Sequence, residues 1–213
     1  MQQWIFLYLG LLVIYILSGT DLVPFHGDEA TQILMSRDYA YQFIERDLSK
    51  IYYSDTPAIP PEQFLRLLNG TVGKYLIGLA WHLGGFTFVD VNEQWDWGAD
   101  WNYNQTYGHA PTDALLQVTR IPSSILLAAG VVVIFIIGWQ VGGLPTAYFA
   151  SLYYALNPAL LLNGRRAMME GPFVFFSLLT VLAGIWLLRR PSWRSRLALG
   201  IAAGLTIASK HTA

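Results

Sequence analysis

Five long apolar runs constrain this chain more than any other feature. A helix needs roughly 20 mostly apolar residues to cross the hydrocarbon core of a bilayer. The runs are long enough, and bounded clearly enough by polar residues, to predict five membrane-spanning helices in an all-α integral membrane protein. The predicted spans are residues 4–23, 121–139, 146–163, 172–188 and 197–212. The first run lacks a preceding Lys or Arg and a following small-residue cleavage site, so we expect an uncleaved span and not a signal peptide.

The composition supports a membrane protein and excludes other classes. Hydrophobic residues make up 54% of the chain and charged residues 13%, against about 25% charged residues in soluble domains. The net charge is −1 and no stripe of Lys and Arg is present, so a nucleic-acid partner is excluded on electrostatic grounds. The chain has no cysteine, which excludes disulfides and thiolate metal sites.

Arginines between the fourth and fifth spans set the predicted orientation. They are Arg189, Arg190, Arg194 and Arg196. Short Arg-rich loops stay cytoplasmic. Counting back along the spans puts the N-terminus and residues 140–145 inside, and residues 24–120 and 164–171 outside. We therefore predict a multi-pass protein with an extracytoplasmic site. The last run reaches the end of the chain without a flank, which predicts further spans beyond Ala213.

Ionisable residues stand within or beside the predicted spans at one membrane face. They are Asp28, Glu29, Arg165, Arg166, Glu170 and Lys210. A charge inside a span costs about 2.5–3.5 kcal/mol on insertion scales, which indicates a function. Lys210 lies thirteen residues beyond Leu197, about 20 Å up a hydrocarbon core roughly 30 Å thick. We expect Asp28, Glu170 and Lys210, together with Arg165 or Arg166, to converge in one outer cavity. Arg166 and Glu170 would pair there if that turn is helical. The alternative is that the arginines only snorkel to the interface.

The long outer segment is predicted to hold two interfacial helices. Asp28 is expected to cap the first, which runs from near Glu29 to Leu48 with apolar and charged residues on opposite faces. Residues 71–83 form a second apolar stretch that is too short to span comfortably. Residues 94–107 are rich in Trp and Tyr, which either stack on sugar rings or collect at the membrane interface.

The chemistry of the charged residues points to transfer of a phosphate-linked group. Asp28 and Glu29 supply either a general base or metal ligands, and the structural alternative is a helix cap followed by a dipole-compensating Glu. Guanidinium groups bind phosphate by paired hydrogen bonds, and ammonium groups bind it as point charges. We therefore assign Arg165, Arg166 and Lys210 to a phosphate that leaves when a hydroxyl displaces it. Because the site lies at the lipid edge, we expect a membrane-lipid phosphate.

The order of motifs along the chain resembles a known family. The motifs are His26-Gly27-Asp28-Glu29, Gly73-Lys74-Tyr75-Leu76-Ile77-Gly78, Arg120-Ile121-Pro122-Ser123, Asn157-Pro158 with Arg165 and Glu170 following, Gly204-Leu205 and Lys210. In this order they resemble the N-terminal half of the dolichyl-phosphate-mannose protein mannosyltransferases. The resemblance extends to their bacterial relatives in the GT-C glycosyltransferase superfold, including the aminoarabinose transferase of lipid A. His26-Gly27 stands where the family more often has His-Pro.

The resemblance implies a GT-C-type helical bundle that acts as a membrane glycosyltransferase. It implies an inverting enzyme, with no required cofactor and a divalent metal optional, that uses a polyprenyl-monophosphate sugar. The acceptor would be a hydroxyl of a protein Ser or Thr or of a glycolipid. By this resemblance Asp28 with Glu29 supplies the base and would hold any metal, while Arg120 and Lys210 face the donor phosphate. The supporting residues are His26, Lys74 and Glu170.

Two other functions remain open from the sequence. One is a membrane transporter whose charges line a substrate path, although we find no internal repeat of the kind that many transporters show. The other is a non-catalytic scaffold that handles lipid or binds a partner. Lys74 is also open, since it either snorkels from a short helix or helps a phosphate site. The membrane is expected to be the bacterial plasma membrane or the endoplasmic reticulum.

Overall fold

The computed structural model describes residues 2–57 and 59–210, and within them the regular structure is helical. The α-helices are α1 (Gln2–Ser18), α2 (Gly27–Met35), α3 (Arg37–Tyr39), α4 (Pro60–Leu68), α5 (Thr71–Leu83), α6 (Trp101–Thr106), α7 (Asp113–Leu156), α8 (Pro158–Gly164), α9 (Glu170–Arg189) and α10 (Trp193–Ser209). The predicted all-α fold is confirmed. The GT-C arrangement of the bundle stays a prediction.

Three helices among the described residues are long and apolar enough to cross a membrane. They are Gln3–Leu22, Asp113–Leu156 and Glu170–Arg189. Large apolar side chains on these helices face outward, as Phe6, Phe149 and Leu188 do. An exposed apolar face of this extent is what a lipid-facing surface requires. The passage of the second half of α7 and of α10 through a membrane stays a prediction.

Helix α7 is broken near the predicted loop 140–145. Its 44 residues would extend about 66 Å as one straight helix, roughly twice the hydrocarbon thickness. The helix breaks at Gly142 and Gly143, and the φ of +77° at Gly143 is one that glycine adopts without strain. Pro145 then falls in the first turn of the second half, where a missing N–H has no consequence. The predicted loop is therefore reduced to two non-helical glycines.

The predicted third span, residues 146–163, is interrupted at Asn157. The second half of α7 ends at Leu156, and α8 begins at Pro158. The Asn157 Oδ1 accepts hydrogen bonds from the backbone N–H groups of Ala159 and Leu160, at 3.0 and 3.2 Å. Asn157 therefore caps α8, and Pro158 occupies the first helical position that proline favours.

The last two helices extend beyond their predicted limits at the arginine-rich end. Helix α9 contains the predicted span 172–188, and α10 begins at Trp193 because Ser192 caps it, accepting from the Ser195 N–H at 3.2 Å. Residues 211 and 212 of the predicted fifth span lie outside the described residues. Arg189 donates to Gln140 at 3.2 Å, which joins the break in α7 to the loop between α9 and α10. Both predicted cytoplasmic loops thus lie at one end of the bundle.

The first outer helix differs from its prediction at both ends. It begins at Gly27, and His26 caps it in place of Asp28. The His26 Nδ1 accepts from the Asp28 N–H at 3.2 Å, and the Glu29 carboxylate accepts from the His26 N–H at 3.1 Å. This reciprocal capping box leaves the Asp28 carboxylate out of the cap. The helix also does not continue to Leu48, since it ends at Met35 and is followed by α3 and a π-helical turn.

Two apolar cores hold these helices together. The core within the bundle joins α1 and α7 and comprises Leu12, Ile16, Leu127, Ala128, Val131, Tyr154 and Ala155. The Tyr154 hydroxyl donates to the Leu127 carbonyl at 3.0 Å, and it lies where a side chain on Gly130 would stand. The outer core packs α5 against α2 and α7 and comprises Ile33, Ala40, Ile77, Trp81, Val91, Leu115 and Ala167. The bounds of α5 match the predicted second interfacial helix, residues 71–83.

Candidate functional site

A buried ion pair between Glu29 and Arg120 forms the centre of the outer face. Glu29 is fully buried and Arg120 is 3% exposed. The guanidinium binds the carboxylate in a bidentate manner, with Nε to Oε1 at 2.8 Å and Nη2 to Oε2 at 2.7 Å. The carboxylate also accepts the backbone N–H of Ala167 at 2.9 Å and that of His26 at 3.1 Å. Both partners of this pair are therefore engaged by protein groups.

The same pair ties four segments together. Arg120 on α7 donates through Nη1 to the carbonyls of Thr20 and Val23, at 3.3 and 2.9 Å. Glu29 lies on α2 and accepts the Ala167 N–H, so the pair also joins α2 to the turn that contains Ala167. A buried charge needs such compensation, because an unpaired one costs several kcal/mol. The geometry makes Glu29 and Arg120 the anchor of the outer face. Neither presents a free group to a base role or to a donor phosphate.

The predicted metal site at Asp28 and Glu29 does not fit this arrangement. Each oxygen of Glu29 binds the Arg120 guanidinium, so a cation at Glu29 would stand against a fixed positive charge. Within residues 2–57 and 59–210, no group of three or more His, Cys, Asp and Glu side chains is arranged to hold a metal ion.

Arg165 and Arg166 do not line the cavity at Asp28, and they bind backbone carbonyls in the last turn of α1 and at Pro24. Arg165 donates through Nε to the Ile16 carbonyl at 2.8 Å and through Nη2 to the Tyr15 carbonyl at 2.7 Å. Arg166 donates to the Pro24 carbonyl through Nε and Nη2, at 3.3 and 3.2 Å. Carbonyls at a helix end need donors, and cations are favoured there by the helix dipole. These contacts differ from both sequence interpretations, a cavity ligand and a snorkelling side chain.

Asp28, Glu170 and Lys210 line one cavity. Its volume is about 210 Å³. The other lining residues are Thr31, Gln32, Asn69, Met168 and Met169. Asp28 lies in the first turn of α2, Glu170 opens α9, and Lys210 caps the C-terminal end of α10. Three helix ends therefore meet at the cavity, and each carries the sign of charge that its dipole favours.

Asp28 presents a free carboxylate at this cavity. Its side chain is 50% exposed. The Asp28 carboxylate lies 3.4 Å from the His26 Nδ1, and that nitrogen accepts the Asp28 N–H at 3.2 Å. Asp28 differs from its neighbour Glu29 in keeping its acceptor capacity, which is what a general base requires.

Lys210 is positioned by Glu170 and by a close helix contact. Its ammonium group donates to Glu170 Oε1 at 3.1 Å, with the two side chains 31% and 25% exposed. A side chain on Gly70 would stand 2.0 Å from the Ser209 carbonyl, so this glycine lets the end of α10 approach α5. The predicted pairing of Arg166 with Glu170 does not occur, because the segment between α8 and α9 is not helical. Glu170 pairs with Lys210 instead.

Lys74 belongs to a separate buried charge cluster. It donates to Asp38 at 2.6 Å and is 4% exposed, which differs from both predicted roles, snorkelling and phosphate contact. Arg66 binds the same carboxylate at 2.7 Å and also binds Glu62 at 2.7 Å. Burial raises the pKa of the Glu62 carboxyl above its ordinary value, against the opposing effect of Arg66. Burial also raises the pKa of the adjoining Tyr41 hydroxyl to about 12. The cluster ties α3, α4 and α5 together.

Trp95 and Trp97 of segment 94–107 lie beside the start of α2. The ring of Trp97 is 5.9 Å from that of His26, and Trp95 and Trp97 both border the space where a side chain on Gly27 would stand. Asn104 fixes the segment by donating to the Asp96 and Asp100 carbonyls, at 3.0 and 2.9 Å. The sugar-stacking and the interfacial interpretation of these rings both stay predictions.

Sequence reasoning missed the uncharged lining of the cavity. Gln32 follows Asp28 by four positions on α2 and lines the same cavity. That spacing places the two side chains on one helix face, so the helical period alone was a usable signal. Asn69, Met168 and Met169 reach the cavity from outside regular helices, and no spacing in the sequence indicates their proximity.

The family comparison covers most of this site. The family model described as dolichyl-phosphate-mannose-protein mannosyltransferase matches residues 62–213, which is more than half of the chain. The matched range includes Arg120, Glu170 and Lys210 and begins after Asp28. No curated protein and no solved structure matches the chain at the required significance.

Proposed function

Because the chain belongs to the dolichyl-phosphate-mannose-protein mannosyltransferase family, we propose that it transfers a sugar from a polyprenyl-monophosphate donor to a hydroxyl acceptor. Family membership and three helices fit to span a membrane make it an integral membrane protein and a glycosyltransferase. The acceptor is a protein Ser or Thr or a glycolipid. One observation carries the proposal: a free carboxylate, Asp28, and an ammonium group, Lys210, line the same cavity.

The proposed reaction is a single displacement at the anomeric carbon. Asp28 accepts the proton of the acceptor hydroxyl as the hydroxyl oxygen bonds to that carbon. The bond between the anomeric carbon and the phosphate oxygen breaks, and the electron pair leaves with the phosphate. Lys210 donates to the phosphate oxygens as their charge grows. One displacement inverts the configuration at the anomeric carbon, and the proton on Asp28 then passes to solvent.

Glu29 and Arg120 support this step without touching the substrate. Their pair fixes the start of α2 against α7 and against the segment that follows α1, so the adjoining Asp28 keeps one position relative to the cavity. Small displacements of a catalytic group reduce the rate strongly, which gives such an anchor a purpose. Lys210, which lines the cavity, replaces Arg120, Arg165 and Arg166 as the proposed phosphate contact.

The proposed sidedness follows from the two ends of α9. The cavity lies at the Glu170 end, and the Arg189 end contacts Gln140. Since arginine-rich short loops stay cytoplasmic, the cavity would open on the extracytoplasmic side of a multi-pass protein. That side is the one on which a lipid-linked sugar meets secreted or surface acceptors.

Substitution of Asp28 tests the function. Asp28→Asn keeps the size of the side chain but cannot accept the proton, so sugar transfer should fall about 10²–10⁴-fold. Donor binding should change little, because the phosphate contact is Lys210. The measurement is hexosyl transfer from a synthetic polyprenyl-phosphate mannose by the protein in lipid nanodiscs. Asp21→Asn is the matched control, since Asp21 is exposed and does not line the cavity. Full activity of a folded Asp28→Asn variant would refute the base assignment.

A further inference from the structure

The indole ring of Trp97 is an exposed apolar surface close to the proposed base. Trp97 is 63% exposed, and its ring centroid lies 5.9 Å from that of His26. The His26 Nδ1 in turn lies 3.4 Å from the Asp28 carboxylate, and these two side chains are 41% and 50% exposed. A single imidazole ring therefore separates Trp97 from the carboxylate, and a ligand can reach all three side chains.

The protein holds the Trp97 ring on a packed base. Trp95 packs against Trp97 with ring centroids 6.3 Å apart and planes at 71°, and it packs against Phe25 at 5.3 Å. Gln94 donates to the Thr31 Oγ1 at 2.8 Å, which joins the segment to α2. A tryptophan side chain has only two rotatable bonds, so a ring that is already packed loses little conformational entropy when it binds a ligand. Trp97 therefore presents a preorganised flat surface.

The chemistry of the segment discriminates among ligands for that surface. The face of an aromatic ring carries partial negative charge and attracts the C–H groups on one face of a sugar ring. Segment 94–107 contains Asp96 and Asp100 and no Lys or Arg, whereas segments that bind a lipid surface are typically rich in Lys and Arg. A neutral ligand with many hydroxyl groups fits this charge better than an anionic bilayer surface does.

The proposed reaction requires the acceptor to reach Asp28 from outside the cavity. In an inverting displacement, the attacking oxygen and the leaving group lie on opposite faces of the sugar ring. Lys210, the proposed phosphate contact, lines the cavity, whose volume of about 210 Å³ is below the roughly 300–1,000 Å³ of pockets that enclose a drug-sized ligand. The cavity is therefore too small for donor and acceptor together. Neither His26 nor Trp97 lines it, so their surface leads to Asp28 from a second direction.

We propose that Trp97 is the stacking platform for a sugar ring of the acceptor, which presents a hydroxyl group to Asp28 past His26. This inference rests on the proposed transfer from a polyprenyl-phosphate sugar and names the acceptor class, a glycan and not a protein Ser or Thr. Trp97 contributes to acceptor binding, whereas Asp28 acts in the chemical step. Substitution of Trp97 should therefore change the KM for the acceptor, and substitution of Asp28 should change kcat.

The test measures sugar transfer to soluble acceptors by the protein in lipid nanodiscs. The donor is polyprenyl-phosphate mannose, and the acceptors are methyl glycosides of mannobiose, cellobiose and lactose and, separately, a peptide that contains Ser and Thr. Wild-type protein should use at least one disaccharide. Trp97→Ala should raise the KM for that disaccharide about three- to tenfold, as expected for one lost stacking contact, and leave the KM for the donor unchanged.

Two further substitutions at Trp97 separate stacking from apolar bulk. Trp97→Phe keeps an aromatic face and should retain most of the affinity for the disaccharide. Trp97→Leu keeps apolar bulk without a ring face and should behave like Trp97→Ala, which provides a second variant if the alanine protein does not fold. Tyr107→Ala is the matched control, because Tyr107 lies in the same segment, is also 63% exposed, and packs on Tyr103 and not on His26. It should keep the wild-type KM.

Each result supports or overturns the inference. An unchanged disaccharide KM in folded Trp97→Ala and Trp97→Leu proteins overturns the platform and leaves the transferase function standing. Equal increases in Trp97→Ala and Tyr107→Ala show that the rings anchor the segment at the membrane, and transfer to the peptide alone makes the acceptor a protein. Both results overturn the inference and keep the function. If wild-type protein transfers no sugar to any of these acceptors, the proposed function fails first and the inference with it.

Discussion

Two ion pairs at the outer face share the same chemistry and differ in what they leave free. In the pair of Glu29 with Arg120, both side chains are at most 4% exposed, and the carboxylate accepts four hydrogen bonds from the protein. In the pair of Glu170 with Lys210, the side chains are 25% and 31% exposed, and one carboxylate oxygen is unpaired within the described residues. The first pair is saturated and buried, whereas the Lys210 side chain of the second pair keeps accessible surface.

The difference separates two roles that look identical in the sequence. A charge near a membrane span indicates function in either case, because insertion of the charge is costly. The number of hydrogen-bond partners distinguishes a charge that stabilises the fold from one that is available to a substrate. The saturated pair should therefore control stability, and the unsaturated pair should control donor binding.

Removal of Arg120 should have the largest effect and tests the role of the saturated pair most directly. Arg120→Met leaves Glu29 buried without its cation, and we expect a loss of about 3–5 kcal/mol in the free energy of unfolding. Thermal unfolding of the purified protein in detergent measures it. The double variant Glu29→Gln with Arg120→Met should recover part of the loss, since no charge remains buried. A fully stable Arg120→Met protein that merely binds donor poorly would contradict the structural role.

Removal of Lys210 should have the opposite pattern. Lys210→Met should weaken donor binding about ten- to hundredfold, the usual loss for a hydrogen bond to a charged group. It should change stability by less than about 1 kcal/mol, because the pair with Glu170 is partly exposed. Binding of a fluorescent polyprenyl phosphate reports the first effect and thermal unfolding the second. Lys210→Arg keeps the cation and should retain most of the binding. Equal effects on both readouts would erase the distinction between the two pairs.

A change at Gly70 should affect the unsaturated pair from a distance. In Gly70→Ala the new methyl group would stand 2.0 Å from the Ser209 carbonyl, so the end of α10 must shift. We expect a loss of about 1–3 kcal/mol in stability, as for other overpacked contacts, together with weaker donor binding. Gly10→Ala is the control, because nothing lies within 4 Å of the added atom. Unchanged donor binding in Gly70→Ala would show that the position of Lys210 does not depend on this contact.

The smallest expected effect concerns Glu62 in the Asp38 cluster. Burial raises the pKa of Glu62 in the folded protein above the ordinary value of 4.5. The folded state therefore holds this proton more tightly than the unfolded state does. Glu62 therefore contributes its full stabilisation below its pKa in the unfolded state. This stabilisation declines as the pH rises through its pKa in the folded state. A single proton limits the slope to about 1.4 kcal/mol per pH unit. Melting curves of wild type and Glu62→Gln across this range should show the decline only in wild type. A decline that persists in Glu62→Gln belongs to another group.

The sequence predicted those features that depend on neighbouring residues. Helix α5 follows its predicted bounds, residues 71–83, because a compact apolar run between turn-forming residues defines its own ends. The helical character of the apolar runs follows from length and hydropathy in the same way. His26 was missed as the cap of α2 because histidine is not among the favoured N-cap residues, although its Nδ1 accepts the same N–H.

The partners of the charged residues could not be predicted from the sequence. Glu29 and Arg120 lie 91 positions apart, and Arg165 reaches carbonyls about 150 positions earlier. No local pattern encodes such contacts, because they arise only when helices meet. Arginine and lysine both bind phosphate, and sequence reasoning had no means to tell Arg165, which binds backbone carbonyls, from Lys210, which lines the cavity.

The pairing of Glu170 with Lys210 also sets an order of events during synthesis. At about 5–20 residues per second, Lys210 leaves the ribosome roughly ten to forty seconds after Asp28. Arg120 is made about halfway through that interval and can then anchor α2, whereas Glu170 has no cation until α10 has followed. The pair of Glu29 with Arg120 can thus form before the cavity is complete, and the phosphate contact proposed for Lys210 has to wait until α10 has reached Gly70. If the proposed function holds, a lipid-linked sugar meets a complete site only after α10 has been synthesised.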